Sequence, residues 1–315
     1  TIYYFFKEYR IRYTNSQKIL LSINFLISYH FVFHQMTIEL SNGIKIPSIG
    51  IGTFLLQPDV AQKSVEAALK DGYRLIDTAN AYMNEKAVGR AMKNSGIPRN
   101  EIFLSTKLWP TVYEDQDAVE KTLKRLQTDY IDLLFIHQPA GNYMAGYRQI
   151  EKAYKEGKVK SIGISNFHDA KLERLLKECE IKPHVIQTEC HPYWTQHNLM
   201  DTLKPYGTVL MAWYPLGHGD KGLINEQIFN TLAQKYHKSN AQIILKWHIQ
   251  KGFIVIPGSS NPAHIASNFD IFDFNLTNEE MNQIAHLDDK KRYYIPDDAK
   301  EESYAGMKMD FDSQK

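Results

Sequence analysis

The sequence predicts an α/β protein of the (β/α)8 barrel (TIM barrel) class, and three observations lead there. Strand-like and helix-like runs alternate eight times. No Pro/Gly/Ser-rich linker divides them, and three proton-active side chains close three successive strand runs at equal intervals. Asp77 ends residues 73–76, Lys107 ends residues 102–106, and His137 ends residues 131–136, with thirty residues from each to the next. About thirty residues is one strand–helix unit. Parallel neighbouring strands therefore bring a carboxylate, an ammonium and an imidazole to one rim, the C-terminal rim where such barrels keep their active sites.

The elements follow in order. Ser41-Asn42-Gly43 between short apolar runs predicts an N-terminal β-hairpin, because Asn-Gly suits a tight turn. Strand runs follow at residues 49–50, 75–77, 102–107, 131–137, 159–165, 185–189, 209–212 and 253–256. Helical patterns lie between them at residues 60–70, 85–93, 118–126, 146–156, 170–179, 199–204, 225–236 and 241–250. Asp59, Asn84, Asp169 and Ser239 stand where N-caps belong. Residues 290–315 read as a C-terminal tail lying across the barrel. The single barrel is expected to span residues 36–315. Residues 1–35 include a fairly apolar run at 19–33, broken by Asn24, Ser28, Tyr29 and His30 and followed by no small-residue cleavage site. They are expected to be a non-native upstream extension without function, Met36 being the true start; peptides from residues 1–35 in mass spectra of the native protein would refute this.

Composition narrows the function classes. The chain has 315 residues, 43% hydrophobic and 23% charged, with a formal net charge of +1. That suits a globular protein and offers no basic surface for nucleic acid or anionic membrane. No stretch has the ~20 consecutive apolar residues of a membrane span. Two cysteines, Cys179 and Cys190, give no disulfide framework and suit a reducing compartment, so a cytoplasmic location is expected. Cys190 and His191 belong to no ligand set of the usual spacing, and no metal is expected.

Tyr82, five residues beyond Asp77, can lean over the same rim. A free phenol with a pKa of about 10 is a poor proton donor near neutrality. A nearby ammonium favours the phenolate, and a carboxylate keeps that ammonium charged and in place. Asp77 is therefore expected to orient Lys107, Lys107 to lower the pKa of Tyr82, and Tyr82 to exchange a proton with a substrate oxygen. His137 can hydrogen-bond the same oxygen. The set suits interconversion of a carbonyl and an alcohol.

The segments Gly72–Glu85, Leu104–Trp109, Ile136–Pro139, Gly163–Phe167, Gln187–Tyr193 and Asn268–Phe274 together resemble the aldo-keto reductase superfamily, in its small aldehyde and 2,5-diketogluconate reductase branch. The resemblance runs from about Met36 to Asp289. It implies that Asp77, Tyr82, Lys107 and His137 are a catalytic tetrad with Tyr82 as general acid, and that hydride comes from a nicotinamide cofactor. It implies carboxamide contacts from Ser165, Asn166 and Gln187, ring stacking on Trp213, and further cofactor contacts from Thr53, Leu216, Ser259, Ser260, His264 and Asn268. One departure stands out: the family's Ile-Pro-Lys-Ser segment reads Ile256-Pro257-Gly258-Ser259 here, and its later arginine is His264. Those two cations normally clamp the 2′-phosphate. NADP(H) is the favoured cofactor on the resemblance, with NAD(H) left open. Ser259, Ser260, Asn261 and the following helix start can still bind phosphate.

Phe54, Trp109, His137 and Tyr193, with Gln138, are expected to line an apolar substrate cup. The short segment at residues 139–146 suggests an open pocket for small aldehydes, dicarbonyls or keto-sugars. A monomer acting on a small carbonyl compound is the expectation. The alternative is a non-catalytic, cofactor-binding regulatory subunit on the same barrel, which a broken tetrad or long docking loops would mark.

Overall fold

A computed structural model describes residues 37–315. Residues 1–36, with the proposed extension and Met36, lie outside the described residues. The expected hairpin forms from β1 (Thr37–Glu39) and β2 (Lys45–Pro47), antiparallel, with Thr37 opposite Pro47. Gly43 takes φ +81° in its turn, a conformation open to glycine.

Eight parallel strands follow: β3 (Gly50–Gly52), β4 (Leu75–Asp77), β5 (Phe103–Leu108), β6 (Leu133–Ile136), β7 (Ile162–Ser165), β8 (Val185–Glu189), β9 (Val209–Trp213) and β10 (Ile254–Val255). Each pairs with its successor from β3 to β10. Between β10 and β3 the ladder thins to one bridge, Ile49 with Val255, flanked by the bonds Val255 N–H to Ser48 O at 2.9 Å and Gly52 N–H to Pro257 O at 3.3 Å. That seam closes the barrel.

Strand period two sorts the side chains. Leu75, Phe103, Leu133, Phe135, Val185, Met211 and Ile254 fill the barrel, and Leu40 and Ile46 of the hairpin plug its floor. The residues between them, such as Ile76, Leu104, Leu134, Ile136, Ile164 and Ile186, pack outward under the helices. Phe135 fits because its neighbour is Gly163: a Cβ there would lie 2.3 Å from the ring. Continuing the inward parity, by one step on four strands and by two on β5, places Asp77, Lys107, His137, Gln187 and Trp213 at the C-terminal mouth.

The outer layer comprises α1 (Pro58–Lys70), α2 (Glu85–Asn94), α3 (Ala118–Leu126), α4 (Tyr143–Lys155), α5 (Asp169–Glu178), α6 (His197–Leu203), α7 (Lys221–Ile224), α8 (Gln227–Tyr236), α9 (Asn240–Gln250) and α10 (Pro262–Phe269). The first of these buries Ala61, Ser64, Val65, Ala68 and Leu69, the i, i+3, i+4, i+7 stripe of a helix lying on a sheet. Of the expected caps, Ser239 closes a full capping box with Gln242. The other three differ. Pro58 starts α1, so Gln57 is its N-cap and Asp59 sits in the first turn, favourable to the helix dipole. His168 precedes α5, and Asp169 is already helical. Asn84 stands at the N-cap of α2 but makes no capping bond, because its side chain is engaged elsewhere.

Two further helices, α11 (Asn278–Ala285) and α12 (Asp298–Ser303), were not expected from the pattern. The last lies in the tail, which does cross the mouth.

Candidate active site

The tetrad candidates meet. Lys107 Nζ donates to Asp77 Oδ2 at 2.6 Å and to the Thr78 carbonyl at 2.8 Å, both within a fully enclosed pocket. Asp77 Oδ1 accepts from Ser105 Oγ at 2.8 Å and Gln187 Nε2 at 2.9 Å. The carboxylate thus has a donor on each oxygen, which fixes the ammonium's position. Burial lowers the Lys107 pKa, against the opposing pull of Asp77.

Tyr82 ends a 3-10 turn, Asn80–Tyr82, and Met83 at φ +58° stops that turn. The Lys107 ammonium lies 4.8 Å from the centre of its ring. Contrary to the expectation of a lowered phenol pKa, that of Tyr82 is pushed well above the ordinary value, by burial first, then by the charge of Asp77 and by Tyr214. The cation sits over the ring face and makes no hydrogen bond to the hydroxyl, so its help is outweighed. At neutral pH the phenol is protonated, the form a donor needs. His137 stands edge-on to Tyr82, ring centres 5.6 Å apart. Burial and the Lys107 charge hold its pKa well below the usual histidine value, so its imidazole is neutral. Its Nδ1 is buried without a partner.

What fixes the turn carrying Tyr82 is Asn84. Its Oδ1 accepts from Thr78 Oγ1 at 2.8 Å and Thr53 Oγ1 at 3.3 Å, and its Nδ2 donates to the Thr53 and Leu56 carbonyls at 2.9 and 3.0 Å. The side chain expected to cap a helix instead ties the loop after β3 to the loop after β4.

A second group gathers at the ends of β7 to β9. Ser165 and Gln187 are register partners. Asn166, held at φ +63°, accepts from Trp213 Nε1 at 2.9 Å and donates to Gln138 Oε1 at 3.2 Å. Hydroxyl and amide groups beside a half-buried indole match the donors and acceptors of a nicotinamide carboxamide, and these residues fit the cofactor. Leu216 lies half-buried against the outer core. Farther along the seam, Asn261 caps α10, its Oδ1 accepting from Ala263 N–H at 2.9 Å. Ser260 and His264 are exposed there, Ser259 is half-buried and Asn268 is buried. Gly258 rests close to the Gly52 carbonyl, which a Cβ would approach to 3.1 Å.

The cup is aromatic. Phe54 meets Tyr82 at 5.1 Å between ring centres, and Trp109 meets His137 at 5.0 Å. Tyr304 of the tail packs on Trp109 at 5.2 Å, a wall that the strand-end pattern did not reveal. The pocket expected to be open is thus walled by the tail. Tyr193 is not gathered with them: it packs among Leu223, Phe229 and Trp247, and its hydroxyl donates to Glu226 at 2.6 Å. Among the described residues no group of His, Cys, Asp or Glu has metal-binding geometry. Nor is any described helix long and apolar enough to cross a membrane.

Residues 48–289 match the family model of the aldo/keto reductase family. The chain is 45% identical over 264 residues to glyoxal reductase of Bacillus subtilis (strain 168), covering 81% of this chain and 94% of that one. It is 39% identical over 259 residues to methylglyoxal reductase DkgA of Escherichia coli (strain K12), covering 81% and 94%. A crystal structure of a Bombyx mori aldo-keto reductase in complex with NADP superposes with a TM-score of 0.76 at 33% identity, covering 81% of this chain and 94% of that one. With its parallel barrel, its buried Lys107–Asp77 pair and these likenesses, the chain belongs to the aldo/keto reductase family and is an NAD(P)H-dependent, carbonyl-reducing oxidoreductase.

Proposed function

We propose that the chain reduces a small aldehyde or α-dicarbonyl compound, with Tyr82 as proton donor and NADP(H) as the favoured cofactor. The observation that carries this is the enclosed Lys107–Asp77 pair at 2.6 Å, with its ammonium over the ring of a protonated Tyr82. When bound, the cofactor supplies the hydride. Ser165, Asn166 and Gln187 hold its carboxamide, Trp213 its ring, and Thr53, Leu216 and Asn268 line its path. Ser259, Ser260, Asn261 and His264 meet its phosphate end.

The chain's own residues do the rest. His137, neutral, offers one N–H to the substrate carbonyl and sets its direction. Tyr82 gives its proton to that oxygen as negative charge develops there, and Lys107 stabilises the phenolate that remains. Asp77 keeps Lys107 in place through the step. Phe54, Trp109 and Tyr304 shed water from the cup, strengthening each of these interactions. The names of the glyoxal and methylglyoxal reductases support a small carbonyl substrate. The NADP-bound relative supports the cofactor, while Gly258 and His264 leave NAD(H) as the competing choice. A monomer in the cytoplasm suits this reading.

Tyr82→Phe tests it. Cofactor affinity should be kept and turnover should fall by about 10²–10⁴, the usual share of a general acid. Near-normal kcat in that variant would remove Tyr82 from the role.

A further inference from the structure

Glu189 ends β8 in register with Trp213 on β9 and is 1% exposed. Neither the tetrad nor the cofactor contacts above use its carboxylate. Both of its oxygens are nevertheless committed. Oε1 accepts the Tyr293 backbone N–H at 2.6 Å and faces His191 Nε2 at 2.9 Å; Oε2 accepts the Tyr294 backbone N–H at 2.8 Å. A carboxylate receiving two consecutive backbone N–H groups fixes both the position and the direction of the segment that bears them.

That segment bears Tyr294. Its ring meets Trp213 edge-on, centres 5.8 Å apart, and its hydroxyl donates to the buried Glu301 at 3.2 Å. Trp213 also meets Tyr214 at 4.7 Å and gives its indole N–H to Asn166. The indole is thus gripped by one strand-end neighbour, one amide and one tail residue. Only the tail residue comes from outside the barrel, and Glu189 is what brings it there.

We propose that Glu189 is a positioning residue for the reaction: it clamps the tail so that Tyr294 holds Trp213 at the angle that receives the nicotinamide. This rests on the reading of Trp213 as the stacking residue. A carboxylate is required because a carboxamide replaces one acceptor oxygen with an NH2 group that faces a backbone N–H donor. Glu189→Asp keeps the charge but shortens the reach.

The test is a double-variant cycle on the dissociation constants of NADPH and NADH, measured by calorimetry with the full chain, beside kcat and KM. Glu189→Gln and Tyr294→Leu should each weaken cofactor binding about fivefold or more, with the loss in cofactor KM exceeding that in kcat. Together they should weaken it about as much as the worse single change, since both act through one contact. Multiplying effects would overturn the proposal, as would unchanged affinity in a folded Glu189→Gln protein. Should Glu189→Gln fail to fold, Tyr294→Leu, which keeps both backbone N–H groups, decides alone: unchanged affinity sinks the proposal, and weakened affinity with a cofactor-KM loss supports it. Trp213→Ala separates the two levels. If it leaves cofactor affinity intact, the stacking reading fails; if it weakens affinity and the other two variants do not, only the role of Glu189 fails.

Discussion

At the scale of single residues, the pair Lys107–Asp77 is costly to expose and costly to break. Removing one member of a buried pair leaves the other charge without its counter-ion, typically at about 3–5 kcal/mol. Lys107→Met should therefore lower unfolding free energy in urea by that order and abolish turnover, because Asp77 loses its cation and Tyr82 loses the charge that steadies its phenolate. Gly258 invites the opposite kind of change. Its φ is not in the left-handed region, and a Cβ would meet only the Gly52 carbonyl at 3.1 Å. Gly258→Lys should fold with a small local shift and raise the NADPH:NADH ratio of kcat/KM about tenfold or more by adding a charge-assisted bond to the 2′-phosphate. An unchanged ratio would mean that the phosphate is bound elsewhere. The residues legible in the sequence were those fixed by strand spacing, Asp77, Lys107 and His137, since alternation and equal intervals determine which way they face. The direction of the Tyr82 pKa shift is not legible in the sequence, which names its charged neighbours but not the burial that outweighs them.

At the scale of elements, α12 is tied to the barrel by charge. Glu301, fully buried, accepts from Lys171 at 3.0 Å and lies 3.1 Å from His168 Nε2, while His168 Nδ1 lies 3.0 Å from Asp169. The hydrogen bond to Glu301 raises the His168 pKa above its ordinary value, outweighing desolvation. A raised histidine pKa stabilises the folded form fully below about 6.5, and that stabilisation disappears as pH rises through the higher folded value. Protection of the α12 amides against hydrogen exchange should accordingly fall on going from about pH 6 to pH 8.5, and His168→Gln should flatten that trend. A slope that persists in the variant would assign it to other groups. None of this could be read from the sequence, because His168 and Glu301 are paired by tertiary contact alone. Asn84 shows the same limit from another side: its spacing predicts a place before a helix, yet its four bonds to Thr53, Leu56 and Thr78 take precedence over capping. Tyr193 likewise belongs to a motif legible in the sequence, yet it packs among residues of α8 and α9 with its hydroxyl on Glu226.

At the scale of the whole molecule, the tail completes what the barrel leaves open. It runs from Glu189 past Trp109, through Tyr304, to the buried Arg125, which donates to Asp312 at 3.0 Å as well as to Glu85 at 2.6 Å. Deleting residues 304–315 should raise KM for the carbonyl compound more than it lowers kcat, because Trp109 loses its wall while the tetrad keeps its partners. It should also lower Tm by several degrees, each kcal/mol being worth about 2–4 °C in a domain somewhat smaller than this one. Equal KM with and without those residues would show that the tail is not part of the cup. The barrel itself was legible because eight alternations admit few other arrangements. The course of the tail was not, since no periodic pattern ties Tyr304 to Trp109.

The join between β10 and β3 gives the barrel a preferred place to open. Seven of its strand pairs are knit by ladders, whereas this one depends on a single bridge and two flanking bonds. Pro257 and Gly258 sit on that join, beside the stretch assigned to the phosphate end of the dinucleotide. A bound dinucleotide would therefore act as a staple across the least-fastened edge, and the free protein would breathe there first.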